Sequence, residues 1–436
     1  ALWKSQLRIP YSENPNRGHR TPDVLTYLSS LVRPDIMTEY RPVPDEYHET
    51  YHRFLDYAFA PEAGPQSYES DDDVPTRLAD RRGLFDGDDL RAVCGHHWFT
   101  TRIRGDWHEM AGLSAVASPP ESRRQGLVVR LLRESLVEYR DRDVLFSALW
   151  PFEYDFYRRY GWATVTRFTT YETTPEALAL DTDPEGEFRR LDEDDWELLA
   201  PVLEAHGEDY ALSIDRTEDW WRERTFDSWG DTDPYVYGWF RDDEARAYLV
   251  YTVEDEDGKR LDVNRLAYVD HEAYRHLLRF LHYHDSQVEA VHFYEPENAD
   301  LLDLVTDPRE VDCEIKTGPM FRLVDVPRAL ERVVDSECTS GRDGADRVVL
   351  AVTDPLVDWN EGTFALDVSH DSVECSRVDA DPDVRTDVNA LSQVVAGYHS
   401  VREAEQYGNL TLQDDEAGDL LAALFPPRDV FLREGF

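Results

Sequence analysis

Between residues 113 and 128 the chain reads Leu113-Ser-Ala-Val-Ala-Ser-Pro-Pro-Glu-Ser-Arg-Arg-Gln-Gly-Leu-Val128, and no other run constrains the fold as tightly. A strand enters, Pro119–Pro120 breaks the ladder, and Gly126 opens an amphipathic helix predicted to reach Tyr139. Such a strand–turn–helix aims several backbone N–H groups at one point, where the helix dipole adds partial positive charge. Gly126 carries no side chain to hold a ligand away from the backbone. Arg123, Arg124, Arg130 and Arg133 collect here in an otherwise acidic chain, so a diphosphate is the natural occupant. An ordinary strand–turn–helix with surface arginines shares the local pattern, so the flanking segments must decide.

Those segments describe an α/β layer with a mixed sheet. A strand near Tyr40, a helix over Glu46–Ala58 and an acidic loop at Ser70–Val74 come first. Strands follow around Leu90–Val93, His97–Ile103 and Ala111–Ser118. After the helix come a buried strand (Val144–Leu149), a short helix (Tyr154–Tyr160) and a final strand (Ala163–Tyr171). An acidic linker, Asp181–Glu187, opens a second α/β unit. It holds a helix at Trp196–His206, the Trp-rich stretch Asp219–Trp229 and a hairpin of Val236–Phe240 with Ala247–Val253. A helix at Tyr274–His284 and a strand at Ala290–Phe293 complete it. A third unit begins after Asp325, with a helix over Pro327–Val334 and strands at Arg347–Val352 and Gly362–Val368. Its helix Val388–Ala396 stops on Gly397, a residue suited to a helix end. The expected boundaries are an extension over 1–39 (polar, with one apolar patch at Val24–Val32), then units over 40–175, 176–325 and 326–436.

At 436 residues the chain exceeds one ordinary core, as three units require. Its 91 Asp and Glu against 46 Lys and Arg give a net charge of -45, and Lys4, Lys259 and Lys316 are its only lysines. An aromatic content of 12% and regular strand patterns argue against an acidic disordered chain. The acidity instead fits a folded protein of a high-salt cytoplasm, where self-repulsion is screened within about 3 Å at molar salt. It excludes nucleic acid as a partner, because a phosphate backbone calls for a basic surface. Cys94, Cys313, Cys338 and Cys375 are scattered, which speaks against a zinc site or a disulfide scaffold. With no membrane-length apolar run and no signal-peptide core, the expectation is a cytoplasmic protein with neither membrane nor metal partner.

The segment Phe152-Glu-Tyr-Asp-Phe-Tyr-Arg-Arg-Tyr-Gly-Trp162 completes an arrangement. Strand–P-x-x-RR-x-GL–helix followed by ALW-x-x-E-x-x-(I/F)Y-x-R-(F/Y)G-(Y/W) resembles the Eis-type ("enhanced intracellular survival") acetyltransferases of the GNAT superfamily. Arg216-x-x-x-Trp220-Trp221, Met320–Leu330 and Leu391–Gly397 resemble that family's central domain, its junction and its sterol-carrier-like helix. The resemblance covers about residue 40 to 436. It implies tandem GNAT-like acetyltransferase domains with mixed sheets, the second degenerate, plus a C-terminal sterol-carrier-protein-like domain. It implies acetyl-CoA as cosubstrate and a homo-oligomer, in relatives a hexamer. Position by position, Val116, Ala117 and Ser118 match the strand that pairs with the pantetheine arm. Arg124, Gln125, Gly126, Leu127, Val128 and Val129 match the pyrophosphate loop. Phe152 and Glu153 match a further cofactor-contacting pair, although relatives often carry Ser where this chain has Phe152. Tyr157 matches the general acid, and Phe436 the C-terminal aromatic residue whose α-carboxylate is the general base.

The chemistry suits the acid better than the base. A thiol leaves with a pKa near ~8.5, and a tyrosine near ~10 protonates it at modest cost. An α-carboxyl near ~3.5 faces an ammonium near ~10, a gap costing on the order of 8–9 kcal/mol. The base therefore needs burial, a depressed amine or a water relay. His96, His97, His282 and His284 lack partners at metal-ligand spacing and read as structural or solvated. Phe59 and the carboxylates around it are candidates to line the acceptor pocket, and Glu434 is a candidate to attract a cationic amine. The expected reaction is direct acetyl transfer to a primary amine, of a polyamine, an aminoglycoside-like molecule or lysine. The alternative is an apolar-ligand-binding protein that uses the sterol-carrier-like domain and carries an inactive GNAT scaffold.

Overall fold

A computed structural model describes residues 38–66, 78–180, 185–227, 233–255, 258–334, 346–369 and 372–436. The 1–39 extension up to residue 37, the Ser70–Val74 loop, the start of the acidic linker, Trp229 and Cys338 lie outside the described residues. Among the described residues, no helix is long and apolar enough to cross a membrane.

The first unit runs β1 (Glu39–Pro42), α1 (His48–Phe59), β2 (Asp80–Asp86), β3 (Asp89–Ile103), β4 (Asp106–Ala117), α2 (Leu127–Asp141), β5 (Phe146–Leu149), α3 (Tyr154–Arg159) and β6 (Ala163–Thr164). Strands β1 to β4 are antiparallel neighbours, and β5 joins β4 in parallel. Strand β3 is buried along most of its length because elements cover both faces of the sheet. Helix α2 turns Leu127, Leu131, Leu132 and Leu136 onto that sheet, the helical spacing that the sequence promised.

The second unit follows β7 (Arg167–Thr173). It holds β8 (Glu187–Arg190), α4 (Trp196–His206), β9 (Ile214–Asp215), α5 (Glu218–Trp221), β10 (Tyr235–Arg241), β11 (Glu244–Asp255), β12 (Lys259–Tyr268), α6 (His271–His282), β13 (Ala290–Pro296) and β14 (Val311–Thr317). The β10–β11 turn places Asp242 and Asp243 at positive φ, the conformation a two-residue hairpin turn requires. The strand expected over Ala163–Tyr171 is in fact two. Its first part, β6, stays in the first sheet, while β7 pairs with β13 and β14 in the second. In return β15 (Met320–Leu323) leaves the second unit and lies between β5 and β6 of the first sheet. Each sheet is thus completed by a strand from across the chain.

The third unit carries α7 (Val326–Val333), β16 (Asp346–Thr353), β17 (Gly362–Val368), β18 (Val373–Arg377), β19 (Val384–Asp387), α8 (Val388–Ala396), α9 (Val401–Gln406), β20 (Leu410–Leu412) and α10 (Asp415–Leu424). Its five strands order as β18-β17-β16-β19-β20. Helix α8 ends at Gly397 with φ 92°, as its sequence predicted. Beyond α10 the chain does not fray. It runs back between the first two units: Ala211 N donates to Asp429 O (2.8 Å), Phe431 N donates to Ala211 O (3.0 Å), and Thr166 Oγ1 donates to Val430 O (3.1 Å).

Candidate active site

Strands β4 and β5 pair only from Met110–Phe146 to Gly112–Ala148. Beyond that point they diverge. Strand β4 continues to Ala117 bonded to β3 alone, leaving the β5-facing edge of Leu113–Ala117 unpaired. A bulge sets Ala115 and Val116 opposite Cys94, with Ala115 at φ 54°, which bends the strand away from its neighbour. The opening in the sheet connects its two faces. Along β4, Ala111 and Leu113 belong to the apolar cluster that contains Tyr157, while Met110 belongs to the one containing Phe436. Strand alternation puts these on opposite faces.

On the far side of the opening lies the turn. Val116, Ala117 and Ser118 are buried at the strand's end, and Arg123 Nε donates to Ser118 O (3.3 Å). Arg124 stands at φ 58° and Gly126 at φ 80°, the latter capping α2. Among the described residues no acceptor meets the backbone N–H groups of Arg124, Gln125, Gly126, Leu127, Val128 or Val129. A Cβ at Gly126 would meet open space. Six such donors at a helix N-terminus, with open space beside Gly126, are suited to a diphosphate. The arginines divide. Arg123 also donates to Tyr57 O (3.1 Å), Arg130 donates to Thr38 O (2.5 Å) and Arg133 lies 3.8 Å from Asp358, whereas Arg124 is exposed at the turn. Gln125 braces the turn by donating to Glu121 O (2.8 Å).

Tyr157 projects from α3 and is 2% exposed. Its ring meets Phe152 (5.6 Å), Phe156 (5.2 Å) and Trp162 (6.3 Å) in edge contacts. Burial first, and then Cys94, push its hydroxyl well above the ordinary tyrosine value, so it stays protonated. Glu153 precedes α3 in extended conformation, and its carbonyl accepts from Tyr157 N (3.5 Å). Helix α3 is held from the third unit, where Asn389 Nδ2 donates to Arg158 O (2.9 Å) and Trp162 O (2.8 Å). Phe152 is 53% exposed and meets Phe59 edge-on at 6.3 Å, so these two aromatics border the site together.

Phe436 is buried on the other face. Its ring packs on Phe99 (5.0 Å) and His97 (5.7 Å), and it covers Gly112, where an added Cβ would lie 2.9 Å from it. The tail therefore reaches the point where the two strands part. Glu434 departs from expectation: its carboxylate faces Arg216, Trp220 and Arg265 in a buried cluster and is not presented to a cationic amine. His97, which by sequence reads as structural or solvated, lies beside Phe436. Its Nε2 lies 3.1 Å from Ser114 Oγ, and its ring faces Phe436 and Trp220. Alternation along β3 was the available signal, since neighbours in a strand face opposite ways. His96 accordingly points under α2, to Ser135 (3.1 Å) and Glu138 (3.6 Å), and burial lowers its pKa to about 3. Cys94 lies beside it, its thiol pushed up to about 12 by burial.

Residues 39–165 match an acetyltransferase (GNAT) domain family, residues 212–323 a second acetyltransferase (GNAT) domain family, and residues 326–433 the sterol carrier protein domain family. An uncharacterized N-acetyltransferase of Streptomyces griseus is 26% identical over 321 residues, which span 68% of this chain and 74% of that one. The solved structure of Eis1 from Mycobacterium abscessus is similar with a TM-score of 0.71 and 26% identity, over 92% of this chain and 100% of its own. A GCN5-related N-acetyltransferase from Anabaena variabilis shares the fold with a TM-score of 0.76 and 18% identity, over 92% of this chain and 100% of its own. The architecture is therefore two tandem GNAT domains followed by a sterol-carrier-type domain.

Proposed function

We propose that this chain, a GNAT-family N-acetyltransferase of Eis-like build, moves acetyl directly from acetyl-CoA to a primary amine of a polyamine, an aminoglycoside-like molecule or lysine. The observation that carries this reading is the opening between β4 and β5, with Tyr157 serving one face and Phe436 the other. Acetyl-CoA as cosubstrate supplies an activated thioester. The residues present suit it: the free edge of Val116 and Ala117, with Ser118 beyond, faces the pantetheine arm, and the N–H groups from Arg124 to Val129 face the diphosphate. Phe152 and Glu153 border the thioester end, where Phe152 gives an apolar wall in place of a small hydroxyl.

In the transfer the amine nitrogen forms a bond to the acetyl carbon as the carbon–sulfur bond breaks. Tyr157, kept neutral by burial, donates its proton to the departing sulfur. The α-carboxylate of Phe436 accepts the proton that the amine loses, directly or through water. Cys94, buried and with a raised thiol pKa, is poorly suited to carry an acyl group, which favours a single displacement. The N-acetyltransferase names of the relatives favour this reading over an apolar-ligand-binding protein with an inert scaffold. The surplus of carboxylates suits a halophile's cytoplasm, and a homo-oligomer, as a hexamer, fits the family resemblance.

Thiol release from acetyl-CoA at molar KCl, with spermidine, kanamycin and lysine as acceptors, tests the reaction. Tyr157→Phe lowers kcat by roughly 10²–10⁴-fold and leaves stability unchanged, since no described group pairs with the hydroxyl. No turnover with any amine, or full turnover in Tyr157→Phe, refutes the assignment.

A further inference from the structure

The two residues before Phe436 are fastened from both sides. The Glu434 carboxylate accepts from Arg216 Nε (2.7 Å), Arg216 Nη2 (2.5 Å) and Trp220 Nε1 (3.1 Å), and lies 3.5 Å from Arg265 Nη1. The side chains of Arg216 and Glu434 are 0% and 3% exposed. Burial alone would raise the Glu434 carboxyl, but Arg216 and Arg265 hold it down at about 2. Its backbone carbonyl accepts from Trp150 Nε1 of the first domain (2.7 Å). Gly435 O accepts from Arg224 Nη2 of the second (2.5 Å). Trp220 serves twice, donating to Glu434 while packing on Phe99 (5.1 Å), the ring that also supports Phe436.

Docking a tail does not require this. Apolar side chains of similar volume bury as well as a buried ion pair or better, because desolvation consumes most of the Coulombic gain. What a desolvated, multiply bonded carboxylate adds is register: the wrong placement leaves two guanidinium groups buried without a counter-charge. Here that register sets where the next two residues fall. We infer that the second GNAT domain acts as a clamp, in which Arg216 and Trp220 grip Glu434 and thereby position Phe436 in the site of the first domain. This rests on the reading of Phe436 as the base. Arg216, Trp220 and Glu434 are positioning residues: they act through the tail.

Two measurements on the full chain test it. Carboxypeptidase A removes an accessible C-terminal phenylalanine, and mass spectrometry reads the loss. Glu434→Gln and the milder Trp220→Phe, which keeps an aromatic ring but removes the donor to Glu434 and part of the indole's volume, are expected to release Phe436 at least ~10-fold faster than the parent. A displacement of about 1 Å at a reacting group costs up to ~10²-fold in rate. Glu434→Gln is therefore expected to lower kcat by ~10–10²-fold with the KM for acetyl-CoA unchanged, using the best amine of the panel. Because Glu434→Gln leaves Arg216 and Arg265 without their counter-charge, it also lowers thermal stability, and the unchanged KM is what separates a displaced tail from a damaged first domain. One added C-terminal glycine serves as the control for the base itself. If that extension stops turnover while both variants keep parental kcat and parental resistance to carboxypeptidase, the clamp is wrong and the base stands. If the extended chain turns over normally, the base reading fails and the clamp's catalytic purpose with it.

Discussion

Gly112→Ala places one methyl group at the point where the sheet opens. The Gly112 backbone is not in the left-handed region, so the substitution acts through space alone. The new Cβ would lie 2.5 Å from a Phe99 ring carbon and 2.9 Å and 3.0 Å from two ring carbons of Phe436, against 3.4 Å for ordinary contact. Phe99 must yield by about 0.9 Å and Phe436 by about 0.5 Å. Overpacking a filled core by one carbon costs about 1–3 kcal/mol. A half-ångström displacement of a reacting group corresponds to roughly a tenfold loss in kcat, scaled from ~10²-fold per ångström. The assay pairs denaturant unfolding with kcat and both KM values. Expected are a stability loss in that range, kcat down about tenfold and the KM for acetyl-CoA unaltered, since the pyrophosphate turn lies elsewhere. Adding Phe99→Leu removes the tighter of the two clashes and recovers most of the stability. Parental kcat and stability in Gly112→Ala would mean that Phe436 does not rest on this glycine, and the reasoning about the tail would fall with it.

Gly126→Ala meets no steric obstacle but forces an L-residue to φ 80°, costing about 1–2 kcal/mol. The turn relaxes away from its N–H geometry, so the KM for acetyl-CoA rises several-fold while kcat changes little; an unchanged KM contradicts the diphosphate assignment. Glu295 lies fully buried in the second domain, bonded to Tyr274, with Oε1 unpaired among the described residues. Burial raises its carboxyl from 4.5 to about 7, opposed by Tyr274 and Arg433. A raised pKa means the folded state holds the proton longer, so the group's contribution is intact below pH 4.5 and is lost as pH climbs through 7. Glu295→Gln should accordingly gain up to about 3 kcal/mol at pH 8 and nothing at pH 4. Equal effects at both pH values in unfolding experiments exclude this account.

What could be read in the sequence was local. The turn from Val116 to Val129, the α2 face and the αL stop at Gly397 are each set by residues within a dozen positions, where proline, glycine and helical spacing have only one common solution. Tyr157 was singled out through the resemblance of its surrounding motif; by composition alone, its aromatic helix reads as core. The exchange of β7 and β15 was invisible because strands buried on both faces carry no mark of which sheet they join. Arg216 and Glu434 are far apart in sequence, and each alone is an ordinary surface residue type. Their pairing is a tertiary fact. It turned a residue taken as a lure for amines into an anchor.

The reciprocal loan of β7 and β15 has a consequence for how the molecule is born. A nascent chain that has emerged as far as β6 has a vacant slot beside β5, and its filler, Met320–Leu323, is not yet made. At ~5–20 residues per second, translation leaves that slot open for roughly ten seconds or more. An unpaired strand edge left waiting so long invites mispairing with other chains. Closing such a distant contact is also slow in its own right. The first two domains thus mature together, late, as one interlocked body, and neither should survive being expressed without the other.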